Sequence, residues 1–285
     1  VITRFETKVF TWIDVQNPTQ EEINELYKEF NFDKSIAEEM IQNIERSKVR
    51  FFGTHTYAVL QFPTTDGVFA GGKKMEIDFI IGTTYLITTH YEKILTVHEV
   101  ATDTANKKKL STTKELFGDI VYKEYRKIGK QLEDIDLLIQ DIVQKIFSGP
   151  QQMTVEKISE INHRILDFKR ALRFHKDIWK QLEDNVLFRS EAMRLNIEYQ
   201  KIWGALEHYQ EINQSLQGTN DSLVAFKTNE VMKLLTVLNF IILPISIIPT
   251  ALGLVSTSEG QIYTILGFLV VSLFIYSTFK RKKWL

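Results

Sequence analysis

The stretch Lys227–Leu285, KTNEVMKLLTVLNFIILPISIIPTALGLVSTSEGQIYTILGFLVVSLFIYSTFKRKKWL, decides how the rest of the chain is read. It holds two apolar spans, Leu234–Val255 and Ile262–Phe279, and neither contains a charge. At ~1.5 Å per residue, a helix over either span comes close to the ~30 Å hydrocarbon core of a bilayer. A polar link, Ser256–Gln261, separates them and carries only Glu259 as a charge. Lys227 and Lys233 precede the first span, and Lys280, Arg281, Lys282 and Lys283 follow the second. The positive-inside rule then places both termini in the cytoplasm and the link outside. Trp284 sits at the level of the inner headgroups. The expected location is the cell (plasma or inner) membrane, crossed more than once. The alternative, a buried hairpin in a soluble core, fits poorly with two uncharged spans beside four consecutive bases.

Outside this stretch the chain is polar, and its average conceals the division. The 285 residues carry a formal net charge of -1, which leaves no basic footprint for nucleic acid. Cysteine is absent, so neither a disulfide framework nor a thiolate metal site exists. The opening VITRFETKVFTW has no apolar core of a signal peptide, so the first membrane entry is expected at Leu234. The chain opens on Val1 rather than Met, which points to processing or trimming.

Residues 1–114 mix strand and helix signals. Phe10–Val15 reads as a strand, and Asn17-Pro18-Thr19 stops it. Thr19, with Glu22 three residues on, forms a capping box for a helix over Gln20–Phe30. A second helix is expected near Ser35–Ile44. Strands are expected over Val49–Phe52, Tyr57–Phe62, Met75–Ile81 and Tyr85–Thr89, with turns at Asp66-Gly67, Gly71-Gly72 and Gly82-Thr83-Thr84. A mixed sheet with helices packed on it follows, an α+β domain.

Residues 115–187 read as a long helical hairpin. Glu115–Phe147 repeats apolar residues at helical spacing, Ser148-Gly149-Pro150 breaks it, and a second helix covers Val155 to about Leu182. The acidic run Glu133-Asp134, with Asp136 and Asp141, reads as a solvated face rather than a metal site. A third helix starts near Phe188 and meets no strong breaker before Leu234. Residues 188–233 therefore form a stalk continuous with the first membrane span, 234–255. The link covers 256–261, the second span 262–279 and the basic tail 280–285. A helix of that length approaches ~100 Å, more than one chain can bury, so a bundle of identical stalks is expected.

The polar residues of the first span are ordered. Thr236, Asn239, Ser246 and Thr250 lie three, seven and four apart, with Leu243 in the gap and Met232 and Asn229 extending the row. Steps of three and four place them on one helix face. Intramembrane polar groups face protein or water rather than lipid. Either the stripe lines a pore built from several copies, or it hydrogen-bonds between packed helices.

KTNEVMKLLTVL, the following Leu243-Pro244 and the terminal KRKKWL resemble the CorA divalent-cation transporters. WIDVQNPTQEEI (Trp12–Ile23) and SIAEEMIQNIERSKVRFF (Ser35–Phe52) resemble that family's front end, so the likeness runs nearly end to end. It implies a funnel-shaped homopentamer, with cytoplasmic α+β domains, a long helical stalk and two transmembrane helices of which the first lines the pore. Asn229, Met232, Leu235, Thr236, Asn239, Leu243, Ser246 and Thr250 would then face the ion. Met232 and Leu235 resemble a hydrophobic constriction that gates by dewetting. Lys280, Arg281, Lys282 and Lys283 would ring the inner mouth beside Lys233.

Two departures from the family stand out. Where the family ends its pore helix on Gly-Met-Asn, this chain has Gly253-Leu254-Val255, aligned without gaps from Pro244. Mg²⁺ wants oxygen ligands and sheds water reluctantly, and a ring of Val supplies no side-chain oxygen. Ser256, Thr257, Glu259 or backbone carbonyls would have to substitute at the outer mouth. The family also senses cytoplasmic Mg²⁺ through acidic residues of neighbouring protomers. One such position maps to Glu39, but the other maps to Arg194, so a direct salt bridge between protomers is expected in place of an ion bridge.

The leading expectation is a passive channel for divalent cations, Mg²⁺ by family default. A relative selecting Zn²⁺, Co²⁺ or Ni²⁺, or unselective, is the alternative, followed by a non-conducting scaffold or sensor. No enzyme is expected, and no resident cofactor. His55, His90, His98, His163, His175 and His208 show no ligand spacing. Gly71-Gly72-Lys73-Lys74 lacks P-loop spacing. No resident metal site is assigned, and the expected partners are further copies of the chain, the lipid bilayer and the transported divalent cation.

Overall fold

A computed structural model describes residues 1–41, 46–64, 74–92, 94, 96–97, 99–100, 111–147, 151–254 and 257–281. The chain divides into two units, Val1–Gln217 and Gly218–Leu285.

The first unit is built on a six-stranded sheet. Its strands are β1 (Ile2–Glu6), β2 (Thr11–Gln16), β3 (Lys48–Phe51), β4 (His55–Pro63), β5 (Lys74–Gly82) and β6 (Tyr85–His90). They lie in the order β1-β2-β6-β5-β4-β3. All neighbours are antiparallel except β2 and β6, which run parallel with Ile13 opposite Ile87. β4 is buried along its whole length, and β5 at all but its first residue. Both faces of these central strands are covered, so their sequences read as continuous apolar runs rather than alternations. Edge strand β1 has no counterpart in the sequence reading. Its five residues include two charges and stay largely exposed, so the apolar alternation that marks a strand is missing. The turn Thr7–Phe10 folds it back, with the Phe10 amide donating to Thr7 Oγ1 (3.0 Å).

One sheet face is covered by α1 (Gln20–Phe30) and α2 (Lys34–Glu39). Ile13, Val15, Tyr57, Val59, Ile80 and Ile87 pack there against Ile23, Leu26 and Ile36. The capping box is present: Glu22 N donates to Thr19 Oγ1 (3.2 Å), and Thr19 N donates to the Glu22 carboxylate (3.0 Å). α2 is shorter than expected. It ends at Glu39, with Met40 as its buried C-cap; the last residues of the expected helix, 42–44, and both turns within 65–73 lie outside the described residues.

The other sheet face is covered by α3 (Thr113–Lys145), α4 (Gln151–Leu172) and α5 (His175–Asp184), and α6 (Arg189–Leu254) packs on α3 and α5. Phe117 meets Phe79 edge to face at 5.0 Å, and His175 meets Phe62 at 5.3 Å. The single helix expected over Val155–Leu182 is in fact two, broken at Arg173-Phe174. No Pro or Gly causes this break. It re-aims a short amphipathic helix, so that His175, Ile178, Trp179 and Leu182 are all buried. Burying four such side chains outweighs the few backbone hydrogen bonds lost at the break.

Beyond the sheet, α3, α4 and α6 close a core of their own. Ile128, Leu132, Ile135, Ile139 and Ile142 of α3, Ile158, Ile161 and Ile165 of α4, and Ile202 and Leu206 of α6 are all buried. Lys157 and Asp141, 2.5 Å apart, tie the start of α4 to the end of α3. α6 approaches α3 closely at Gly118, where a Cβ would run into the Glu191 carboxylate.

The second unit holds the end of α6 from Gly218 and α7 (Ser258–Arg281). Among the described residues one helical segment, Glu259–Thr278, is long and apolar enough to cross a membrane. The preceding apolar run forms the last turns of the 66-residue α6. α7 begins at Ser258, so most of the polar link is its first turn.

Candidate ion path on helix α6

The stripe residues lie on one uninterrupted helix, as Asn229 to Gly253 all fall within α6. At ~100° per residue, Asn229, Met232, Leu235, Thr236, Asn239, Leu243, Ser246, Thr250 and Gly253 occupy an arc of about 120°. In the single chain Asn229, Met232, Leu235, Asn239, Leu243 and Thr250 are exposed, and Thr236 is half-buried. Thr236 Oγ1 donates to the Met232 carbonyl (2.7 Å), which spends its proton locally and leaves an oxygen lone pair outward. Among the described residues Asn239 has no such local outlet, so its amide is left to water, an ion or another chain.

The remaining faces are apolar and equally uncovered. Leu234, Leu238, Phe240 and Ile247 of α6 are exposed, as are Ile262, Leu266, Leu269 and Phe274 of α7. An apolar surface of this extent marks contact with lipid or with other protein.

Toward the outer end, Gly253 faces open space and Leu254 closes α6. Val255 and Ser256 lie outside the described residues. Glu259 is exposed in the first turn of α7, where the helix dipole favours a carboxylate. Of the basic residues, Lys233 pairs with Glu230 (2.9 Å), and Lys280 and Arg281 form the last turn of α7. Lys282 and Lys283 lie outside the described residues. Among the described residues no group of three or more His, Asp or Glu is gathered as metal ligands.

Glu39 and Arg194 each find partners within their own chain. Glu39 Oε2 accepts from Lys48 Nζ (2.6 Å) and Arg50 Nη2 (2.7 Å). Both cations come from β3, the strand that follows α2. Arg194 pairs with Glu191 (2.6 Å) and Asp119 (3.3 Å), and its guanidinium lies 5.3 Å from the centre of the Tyr122 ring. Burial works against the Arg194 charge, yet these two carboxylates raise its pKa above the ordinary arginine value. Sequence reading missed all four partners. Lys48, Arg50 and Asp119 belong to other elements and carry no spacing signal, while Glu191 sits three residues from Arg194, a spacing that marks a surface pair as readily as a site.

The motif around Trp12 serves the sheet. Trp12 Nε1 donates to Thr88 Oγ1 (3.1 Å), Thr88 Oγ1 donates to Asp14 (2.5 Å), and His90 Nε2 lies 3.2 Å from the same carboxylate. Polar atoms of β2 and β6 thus satisfy one another across the parallel pair.

The chain thus joins an α+β unit to a 66-residue helix, α6, and to a second helix, α7, that is long and apolar enough to cross a membrane. The sequence profile of the family described as CorA-like Mg2+ transporter protein matches residues 7–281, and the chain belongs to that family. The cobalt/magnesium transport protein CorA of Thermotoga maritima is 21% identical, over 96% of this chain and 83% of that protein. The complete structure of the CorA magnesium transporter from Methanocaldococcus jannaschii superposes with a TM-score of 0.80 at 19% identity, covering 99% of this chain and 93% of that one. The full-length CmaX protein gives the same TM-score at 14% identity, covering 95% and 88%.

Proposed function

We propose that this chain is the protomer of a homopentameric channel that passes divalent cations down their electrochemical gradient. In this reading α6 supplies the first membrane span and α7 the second. Both termini are cytoplasmic, and the stripe Asn229–Thr250 of five copies encloses the path. The observation that carries it is the exposed row on α6, with Asn239 at its centre, flanked by uncovered apolar faces. A dead pore would be free to fill its axis with apolar side chains. The driving force is the membrane potential, ~2.3 kcal/mol per charge per 100 mV and about twice that for a divalent ion.

Mg²⁺ is the leading cargo by family membership. Val255 bears on selectivity: a fivefold ring there offers no side-chain oxygen to a hydrated ion, so discrimination among Mg²⁺, Co²⁺, Ni²⁺ and Zn²⁺ is weak. Control by cytoplasmic Mg²⁺ is weak too. Glu39 is already neutralised by Lys48 and Arg50, and Arg194 brings a cation where a divalent ion would need a second carboxylate.

Liposome flux of Mg²⁺, Co²⁺, Ni²⁺ and Zn²⁺ tests the reading. Asn239→Ala should change the flux at least tenfold, and Val255→Asn should sharpen preference for Mg²⁺. No flux of any of these ions from an assembled pentamer would overturn the channel. Unchanged transport in Asn239→Ala would remove the stripe as its lining.

A further inference from the structure

A second concave site lies in the first unit, far in sequence from the stripe. A cleft of about 280 Å³ is lined by Arg46, Lys74, Arg170, Arg173 and Phe174. Four of these five are cations, and among the described residues no carboxylate joins the lining. Arg170 and Arg173 have a local reason to be there, since bases near a helix C-terminus interact favourably with its dipole. Arg46 and Lys74 have none: they arrive just before β3 and at the start of β5, and bringing them to the same cleft gathers like charge.

Little compensates that charge. Arg170 reaches Asp167 at 3.4 Å, and Lys74 Nζ donates to the Gln61 amide oxygen (3.2 Å). Arg46 and Arg173 make no ion pair among the described residues. Instead both guanidiniums lie over the Phe174 ring, 5.7 Å and 5.2 Å from its centroid. A guanidinium stacked on a ring keeps its edge N–H groups free, and that planar fork matches phosphate oxygens. Phe174 also stands at the N-cap of the ten-residue α5 and provides no side-chain hydrogen bond to its first amides. The break between α4 and α5 thus leaves the first turn of α5 without a side-chain cap beside four cations, a combination suited to an anion.

We propose that this cleft binds a compact polyphosphate anion, gripped by Arg46 and Arg173 and neutralised by Lys74 and Arg170. Phosphate rather than carboxylate is favoured by the formal charge of four and by two pre-positioned guanidinium forks. The Phe174 ring already carries both guanidiniums, so recognition is of the phosphates and not of a base stacked upon them. The proposal is independent of the ion path.

Calorimetric titration of the full-length protein with tripolyphosphate, in Mg²⁺-free buffer, tests it. Saturable one-to-one binding per chain is expected, weakening as salt rises. Arg46→Gln with Arg173→Gln should weaken it at least tenfold, and Lys74→Gln alone by a smaller factor should the double variant fail to assemble. Lys169→Gln is the control. Lys169 is on the same helix but turns away, donating to Gln210 (2.6 Å), and should leave binding unchanged. Absence of saturable binding, or equal weakening by Lys169→Gln, would overturn the site.

Discussion

The sheet unit and the helical pair treat the same chemical groups in opposite ways. In the first unit many polar atoms that enter the interior find protein partners, although buried atoms of Asp78, His175 and Asn196 do not. Trp12, Thr88, Asp14 and His90 form one linked set. Tyr125 Oη accepts from Trp179 Nε1 (2.9 Å) and lies 2.6 Å from His175 Nδ1, forming another. On α6 and α7 the polar stripe and the apolar flanks both face outward. The first unit completes most of its packing within one chain, whereas the second leaves large apolar side chains of α6 and α7 exposed. Stability should therefore be lost by mutation in one region, and transport in the other.

The largest break in stability should come at Trp179, which is fully buried against Phe117 and Tyr125. Trp179→Ala removes that ring and leaves the Tyr125 hydroxyl without its donor, at a cost of about 3–5 kcal/mol in denaturant unfolding of the first unit. Leu238→Ala, on the exposed face of α6, should change the same measurement by less than about 0.5 kcal/mol. Similar losses from both would erase the distinction between the regions.

How much could be read in the sequence divides along the same line. Local signals read well: the capping box at Thr19, strands β2 to β6, and the continuity of the stalk up to Leu234; α6 then runs on through Pro244 and Pro249 to Leu254. What escaped was set by tertiary packing. β1 depends on β2 for its pairing, and the α4–α5 break depends on Phe62 of the sheet and on Phe117 and Tyr125 of α3, against which His175 and Trp179 pack. The periodicity of the stripe was legible, and the single chain leaves most of that face exposed. The partners of Glu39 and the basic cleft arise from residues distant in sequence, which no spacing rule joins.

The satisfaction of buried polar groups is incomplete at Asp78, and this sharpens the comparison through pH. Asp78 is buried in the centre of the sheet. It accepts from Tyr57 (3.3 Å) and Thr89 (3.4 Å) at Oδ2, while Oδ1 is unpartnered. Burial, with Glu76 nearby, pushes its pKa well above the ordinary aspartate value. A carboxyl whose folded pKa is raised contributes stability that is fully present below its unfolded pKa and lost as pH rises through the folded one. His175 runs the other way. Burial lowers its pKa to about 3, only partly offset by the Gln61 backbone, so its contribution is present above pH 6.5 and lost on acidification toward about 3. Asp78→Asn should stabilise the first unit by about 1–2 kcal/mol at pH 8 and by less at pH 4, in unfolding measured at both values. A gain that does not shrink on acidification would mean that Asp78 is ionised in the native state.

The smallest effect separates two threonines of the same chemistry. Thr19 caps α1: its hydroxyl accepts from the Glu22 amide, one of the helix N-terminal donors that no carbonyl serves. Thr236 donates instead to the Met232 carbonyl, within an unbroken helix where that carbonyl is already an acceptor of the backbone ladder. The first bond satisfies an orphan and the second is redundant. Thr19→Ala should cost about 1 kcal/mol of unfolding free energy and leave ion flux untouched. Thr236→Val keeps the shape, should leave unfolding within about 0.5 kcal/mol, and should alter flux because it removes an outward lone pair from the stripe. If Thr236→Val instead destabilises the protein while flux persists, the hydroxyl is packed between helices, and the stripe at that level serves assembly rather than conduction.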